Sequence, residues 1–446
     1  MKPSSLGIVF LTPLLFSASS DAAPKWQTTE RVPLGTTVVR VLPGTIRPEI
    51  YAVDRANSQV LVIRLADRSI QKIYVGKDPT DLDLDVSGKV LYVANKGPGT
   101  GAPGSDRISV INLEGQTPVQ TASWIVPVTA QFVTAGRPGR IYFNAGIDNW
   151  NFGDAHAVDS QSGSDLGTFA LIKTRMVITS DKTRLYGQYV YEGNLGEMGV
   201  FDVSGDTITL IDRLRYPPYA QNYGWGVDNY CISANDRVLG YGPVLFNATN
   251  LVDQIGILPE QVGALNWDGT VAFGQSRIWD TTTFSIRGDA TEIGRFPFMT
   301  SVMAYDRVAD RLYAFNSADR TVYVVEKSTT RGIPLSWLAT YSLPTDDATE
   351  NADPDGDGYT NLQEWTLDSN PKQPTPPLRI ELTASSRVRV SAPVPTRQYT
   401  LEVSDSSFRN WSALSSAFSD GQALEFAVDR PITGSGQAFF RIHVSP

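Results

Sequence analysis

The feature that most narrows what this chain can fold into is a recurring unit of short β-type runs, each anchored on an aromatic residue. One copy reads DPTDLDLDVSGKVLYVANKG, then a loop, then RISVINLEGQTPVQTASWIVPV, which is strand, tight turn, strand, loop, strand, turn, strand. A partial copy, EIYAVDRANSQVLVIRLADRSIQKIYVG, precedes it, and weaker copies follow as far as SVMAYDRVADRLYAFNSADRTVYVVEKS. The anchors are Tyr51, Tyr92, Tyr142, Tyr186, Tyr241, Phe273 and Tyr313, in steps of 41, 50, 44, 55, 32 and 40 residues. Turn residues such as Ser87-Gly88, Pro138-Gly139, Asn235-Asp236 and Asp268-Gly269 separate the runs.

Seven units of this length, four strands each, predict an all-β fold with a seven-bladed β-propeller over residues 24–343. KVLYVAN and QVLVIRL are apolar at nearly consecutive positions, where a sheet with one wet face would alternate. A large β-sandwich is the alternative, but it does not call for a repeated four-strand unit. Residues 75–115 resemble the YVTN family of propeller repeats. Tyr92-Val93-Ala94-Asn95 carries the signature and Val110-Ile111-Asn112 the closing strand. The resemblance implies the propeller and leaves function open, because this architecture serves binding, scaffolding and catalysis alike.

Beyond residue 343 the sequence turns acidic. DPDGDGYTNLQE sets Asp353, Asp355, Asp357, Tyr359, Asn361 and Glu364 at positions 1, 3, 5, 7, 9 and 12 of a calcium-loop pattern, with Gly358 at the sharp turn. Calcium takes 6 to 8 oxygen ligands, and this donor set is all oxygen. No His or Cys lies nearby, which disfavours zinc and copper. Leu362 and Trp365 allow one or two helical turns after the loop. The proline in YSLPTDDATENA argues against a helix before it. The segment resembles the thrombospondin type 3 and dockerin-like calcium loops, EF-hand-like in spacing. The plain alternative is an acidic, solvated linker over 344–376.

Residues 377–446 alternate as half-buried strands and predict a small β-sandwich. YTLEVSD, the Asn-Trp pair and FFRIHV resemble a C-terminal immunoglobulin-like module of exported bacterial proteins. At the other end, Lys2, the apolar stretch Leu6–Phe16 and the small residues Ser20 and Ala22 predict an export signal over 1–22. The mature chain is then expected outside the inner membrane (periplasm, cell surface or medium), without a transmembrane segment. Cys231 is the sole cysteine, so no disulfide is available.

The net charge of −9 excludes nucleic acid as an expected partner. No catalytic motif is present. Of two histidines, His156 is read as structural, with Asp148 or Asp154 in reach, and His443 as a surface residue. The stretch RYPPYAQNYGWGVDNY crowds Tyr216, Tyr219, Tyr223, Trp225 and Tyr230, rings suited to stacking on a ligand or to packing a long loop. The expectation is a secreted, non-enzymatic binding or adhesion protein for an extracellular or envelope protein or glycan, with Ca2+ in the 353–364 loop. The alternative is an extracellular propeller hydrolase or lyase acting on polysaccharide. A quinone-holding redox propeller finds no cofactor motif.

Overall fold

The computed structural model describes residues 25–97, 107–145, 155–170, 172, 174–191, 194–214, 230–284, 290–300, 302–329, 331–374 and most of 379–445. The expected export signal lies outside them. The chain divides into two compact units, 32–325 and the remainder. Among the described residues, no helix is long and apolar enough to cross a membrane.

Among the described residues, seven four-stranded antiparallel sheets account for the repeat region. Each anchor aromatic sits on the second strand of its sheet, from Tyr51 on Glu49–Asp54 to Tyr313 on Arg311–Asn316. All seven are buried, Tyr241 being the most exposed at 5%. Six sheets are contiguous in sequence, and the last draws its fourth strand from Lys25–Pro33.

Apolar runs become sheets buried on both faces. In Glu49–Asp54 and Gln59–Arg64, Ile50, Ala52, Leu61 and Ile63 pack with Tyr313, Phe315, Val322 and Val324 of the last sheet. Their neighbours Tyr51, Val53, Val60 and Val62 pack with Leu82, Leu91 and Val93 of the next sheet. Side chains of successive strand residues point to opposite faces, so an unbroken apolar run feeds two cores at once. The same sheet-to-sheet packing continues from Tyr92 with Phe143, Tyr142 with Leu185, Tyr186 with Tyr241, and Leu245 with Val262. Phe273 stacks on Tyr305 of the last sheet, with centroids 6.3 Å apart.

The first strands of all seven sheets line one cavity of about 260 Å³. It is bordered by Arg40–Pro43, Pro79–Leu84, Phe132–Ala135, Val177–Ile178, Tyr230–Ile232, Val262–Leu265 and Met303–Asp306. This arrangement of four-stranded sheets around a common axis is that of a β-propeller.

The second unit holds the acidic loop and the tail. A six-residue helix, Leu335–Thr340, and a 3-10 turn, Asp347–Asn351, precede the loop. The helix Asn361–Thr366 follows it, as Leu362 and Trp365 predict, and packs those two residues on Ile333 and Leu338. Thr360 and Gln363 form a reciprocal capping box at its start. Arg397, only 3% exposed, donates to the carbonyls of Thr366 and Trp365, both at 2.8 Å, satisfying the helix end from the tail. Among the described residues, the tail has six strands in two three-stranded antiparallel sheets, Arg379–Leu382 with Arg387–Ser391 and Leu424–Ala427, and Trp411–Phe418 with Gln398–Ser404 and Phe439–Ser445. Val388, Val390, Tyr399, Leu401 and Phe426 form one core from both.

Candidate functional site

Two groups of carboxylates stand out, one in the acidic loop and one in the central cavity. In the loop, carboxylate oxygens of Asp353, Asp355 and Asp357 all lie within 4.8 Å of one another. Backbone geometry brings them there. Gly356 and Gly358 take φ of +77° and +93°, a region open to glycine at little cost, and an added Cβ at either would meet nothing within 4 Å. Asp353 accepts from the Gly358 and Gly356 amides at 2.9 and 2.8 Å, and the first of these bonds chiefly holds its carboxyl below the usual range. Asp357 accepts from the Tyr359 amide at 2.7 Å. The loop is closed at its base where Asn361 donates its amide to Ala352 O at 2.8 Å.

The donor set fits a hard cation. Asp355 Oδ2 and Asn361 Oδ1 are buried and accept no hydrogen bond, and Asn361 Nδ2 is committed to Thr349 O at 2.7 Å. Glu364 lies beyond the three-aspartate group, on the helix that follows, and is fully buried, which a carboxylate tolerates only with compensating partners.

The cavity carries a different constellation. Asp81, 1% exposed, places Oδ1 3.2 Å from Arg40 Nε and 3.3 Å from an Arg175 terminal nitrogen, while Oδ2 accepts from the Val133 amide at 3.2 Å. Asp83, two residues on, accepts from the Ala135 amide at 2.8 Å. Lys182 donates to the Ala135 carbonyl at 3.0 Å. Burial, reinforced by the nearby Arg175 charge, brings the Arg40 guanidinium down to about 10. Burial also raises the Asp83 carboxyl, partly offset by Lys182. No catalytic or metal-ligand motif marks this site in the sequence. Its signal is DLDL, where Leu82 and Leu84 enter the core between sheets and the aspartates alternate with them toward the neighbouring sheet.

Tyr216, Tyr219, Tyr223 and Trp225 lie outside the described residues. Tyr230 lines the cavity but is 4% exposed, with its ring centroid 4.6 Å from that of Tyr241, and burial pushes its hydroxyl well up. His156 is a buried strand residue stacked on Phe143, with Nδ1 3.4 Å from Asp165 across the hairpin. Asp148 and Asp154, its expected partners, lie outside the described residues. His443 is half-buried on Phe439–Ser445.

No family model matches the chain, and no curated protein matches it. Solved structures do. Hydrazine synthase of Kuenenia stuttgartiensis is similar at a TM-score of 0.51 and 11% identity, over 65% of this chain and 95% of that one. A chain of the mitotic checkpoint complex is similar at 0.51 and 12%, over 72% and 98%. The WD40 repeats of RRP9 give 0.48 and 8%, over 68% and 100%. At such identities the likeness concerns fold alone. The class is therefore an all-β repeat protein of propeller character, with multiple four-stranded antiparallel sheets.

Proposed function

We propose that this chain is an exported, non-enzymatic recognition protein: a seven-bladed propeller, a calcium loop at 353–364 and a small β-sandwich over 377–446. The blade count rests on seven anchor aromatics in seven four-stranded sheets whose first strands share one cavity. The likenesses to YVTN repeats, thrombospondin type 3 loops and immunoglobulin-like tail modules fit the same reading.

The observation that carries the calcium assignment is the convergence of Asp353, Asp355 and Asp357 at loop positions 1, 3 and 5, with Gly358 in the left-handed turn. Asp353, Asp355, Asp357 and Asn361 would ligate through side chains and Tyr359 through its carbonyl, with Glu364 completing the set. The bound cation removes the mutual repulsion of the aspartates and so orders the loop. Isothermal titration with Ca2+ tests this, with saturable heat expected from the full chain and none from the Asp355→Asn/Asp357→Asn double variant. A glycan array probed with the same preparation tests recognition; an array without any hit, together with no capture of envelope proteins, would remove that role.

One observation favours a second reading, a polysaccharide hydrolase or lyase. Asp81 and Asp83 sit in the axial cavity, and burial favours a protonated Asp83, as a general acid requires. Release of sugar from a polysaccharide, abolished in Asp83→Asn, would establish it.

A further inference from the structure

The charged lining of the central cavity is unequal. Arg40 and Arg175 share a single carboxylate, Asp81, although the chain as a whole carries nine net negative charges. Lys182 is held beside Asp83, and Asp236, the remaining acid in the lining, is engaged by the Ser180 amide and hydroxyl. Arg307 also lines the cavity; it is exposed, and no hydrogen bond or ion pair is seen for it among the described residues. Four cations thus face three carboxylates. Arg40 Nε is spent on Asp81, whereas Arg175 Nε is buried without a hydrogen-bond partner and leaves one donor unused in the cluster.

A second compartment of about 190 Å³, at the turn end of the first strands, shares part of the cavity's lining. Arg307, Lys182 and Asp83 border both spaces. The outer compartment is lined by Val86 and Val308, which are 53% and 68% exposed. Exposed apolar surface thus stands beside the unpaired Arg307, while the further acids of this compartment, Asp85 and Asp306, are engaged by amides of their own turns. A ligand with an anionic head and an apolar body satisfies both.

We propose that the central cavity binds a small organic carboxylate, its head held by Arg40, Arg175 and Arg307 and its apolar body resting on Val86 and Val308. Arginine suits this role, since its planar fork matches a carboxylate with two parallel hydrogen bonds. An anion beside Arg40 and Arg175 also adds to the compensation of their mutual repulsion that Asp81 and, for Arg40, Asp83 already give. This site deepens the recognition role above by naming its ligand class, and it does not involve the 353–364 loop.

Titration calorimetry of the full chain with 3-phenylpropionate tests the assignment, with 3-phenylpropionamide and inorganic phosphate as comparators. Saturable binding of the acid is expected, with the amide and phosphate each about tenfold weaker or worse. Arg307→Ala, an exposed position whose loss leaves the sheets intact, should weaken the acid by a similar factor and leave the amide unchanged. Equal binding of acid and amide overturns the anionic head; equal binding of phosphate overturns the apolar body. An unaffected Arg307→Ala variant overturns the placement, and absence of saturable heat with the acid overturns the whole inference. The glycan array on the same preparation then tells whether the recognition role falls with it or stands.

Discussion

Asp81 and Asp83 in the central cavity and Asp353, Asp355 and Asp357 in the loop are the same residue type handled in opposite ways. The cavity pair is met by the chain itself: two guanidinium groups, an ammonium and two backbone amides from the neighbouring sheet. The loop trio is met by amides of its own short loop, and its carboxylates face one another. A rigid ring of sheets can deliver cations from distant sequence to a buried acid. A twelve-residue loop cannot, so its carboxylates are left to solvent or to the cation proposed above. Burial decides the difference, because an uncompensated charge is costly inside and cheap at the surface.

The contrast can be broken most forcefully at Asp81. Asp81→Ala leaves Arg40 and Arg175 buried against each other and should destabilise by about 3–5 kcal/mol in urea unfolding, the usual cost of removing one member of a buried pair. A change under about 1 kcal/mol would mean that the cavity charges are solvated like those of the loop. Next in size, Ca2+ should slow proteolytic cutting within 344–376 by about tenfold or more, the rate following the population of the open loop. Asp355→Asn/Asp357→Asn should show the same cutting rate with Ca2+ and with chelator, and a Ca2+ effect that survives in it would remove the loop from the comparison.

Glycine replacements sharpen the same point. Gly358→Ala meets open space, so its cost is backbone strain alone, about 1–2 kcal/mol and larger with Ca2+ present. Gly269 has φ +77° and an added Cβ would lie 2.4 Å from Val238, so Gly269→Ala should cost more, through overpacking between strands. Equal losses, read from unfolding midpoints, would deny that the sheets are the tighter region. The smallest effect is expected from pH. Because burial raises the Asp83 carboxyl in the folded state, the fold is favoured while that proton stays on. The advantage is lost as pH rises from the ordinary carboxylate range, near 4, through the raised folded value. Asp83→Asn cannot titrate, so its stability relative to wild type should improve as pH climbs through that window. A difference independent of pH would show that Asp83 keeps its charge.

Much of this was legible in the residues. The anchor aromatics mark the second strand of every four-stranded sheet, and DGDGYTNLQEW gives the positive-φ glycines and the short helix after the loop. The strand Lys25–Pro33 was not legible as part of the last sheet, since about 300 residues separate it from its partner Thr321–Ser328. Nor was the 3-10 turn before the loop, where Asp346 caps the backbone through Thr349 and Glu350 accepts from the Arg331 amide at 2.6 Å. The cavity cluster escaped because its members come from four different sheets.

Local periodicity and turn chemistry therefore fixed the strands, their fourfold grouping and the shape of the acidic loop, because each depends on neighbours a few residues away. Only the tertiary structure decided which charges meet. Arg40, Asp81, Arg175 and Arg307 are neighbours through the closure of sheets around an axis, and no spacing in the chain records that closure.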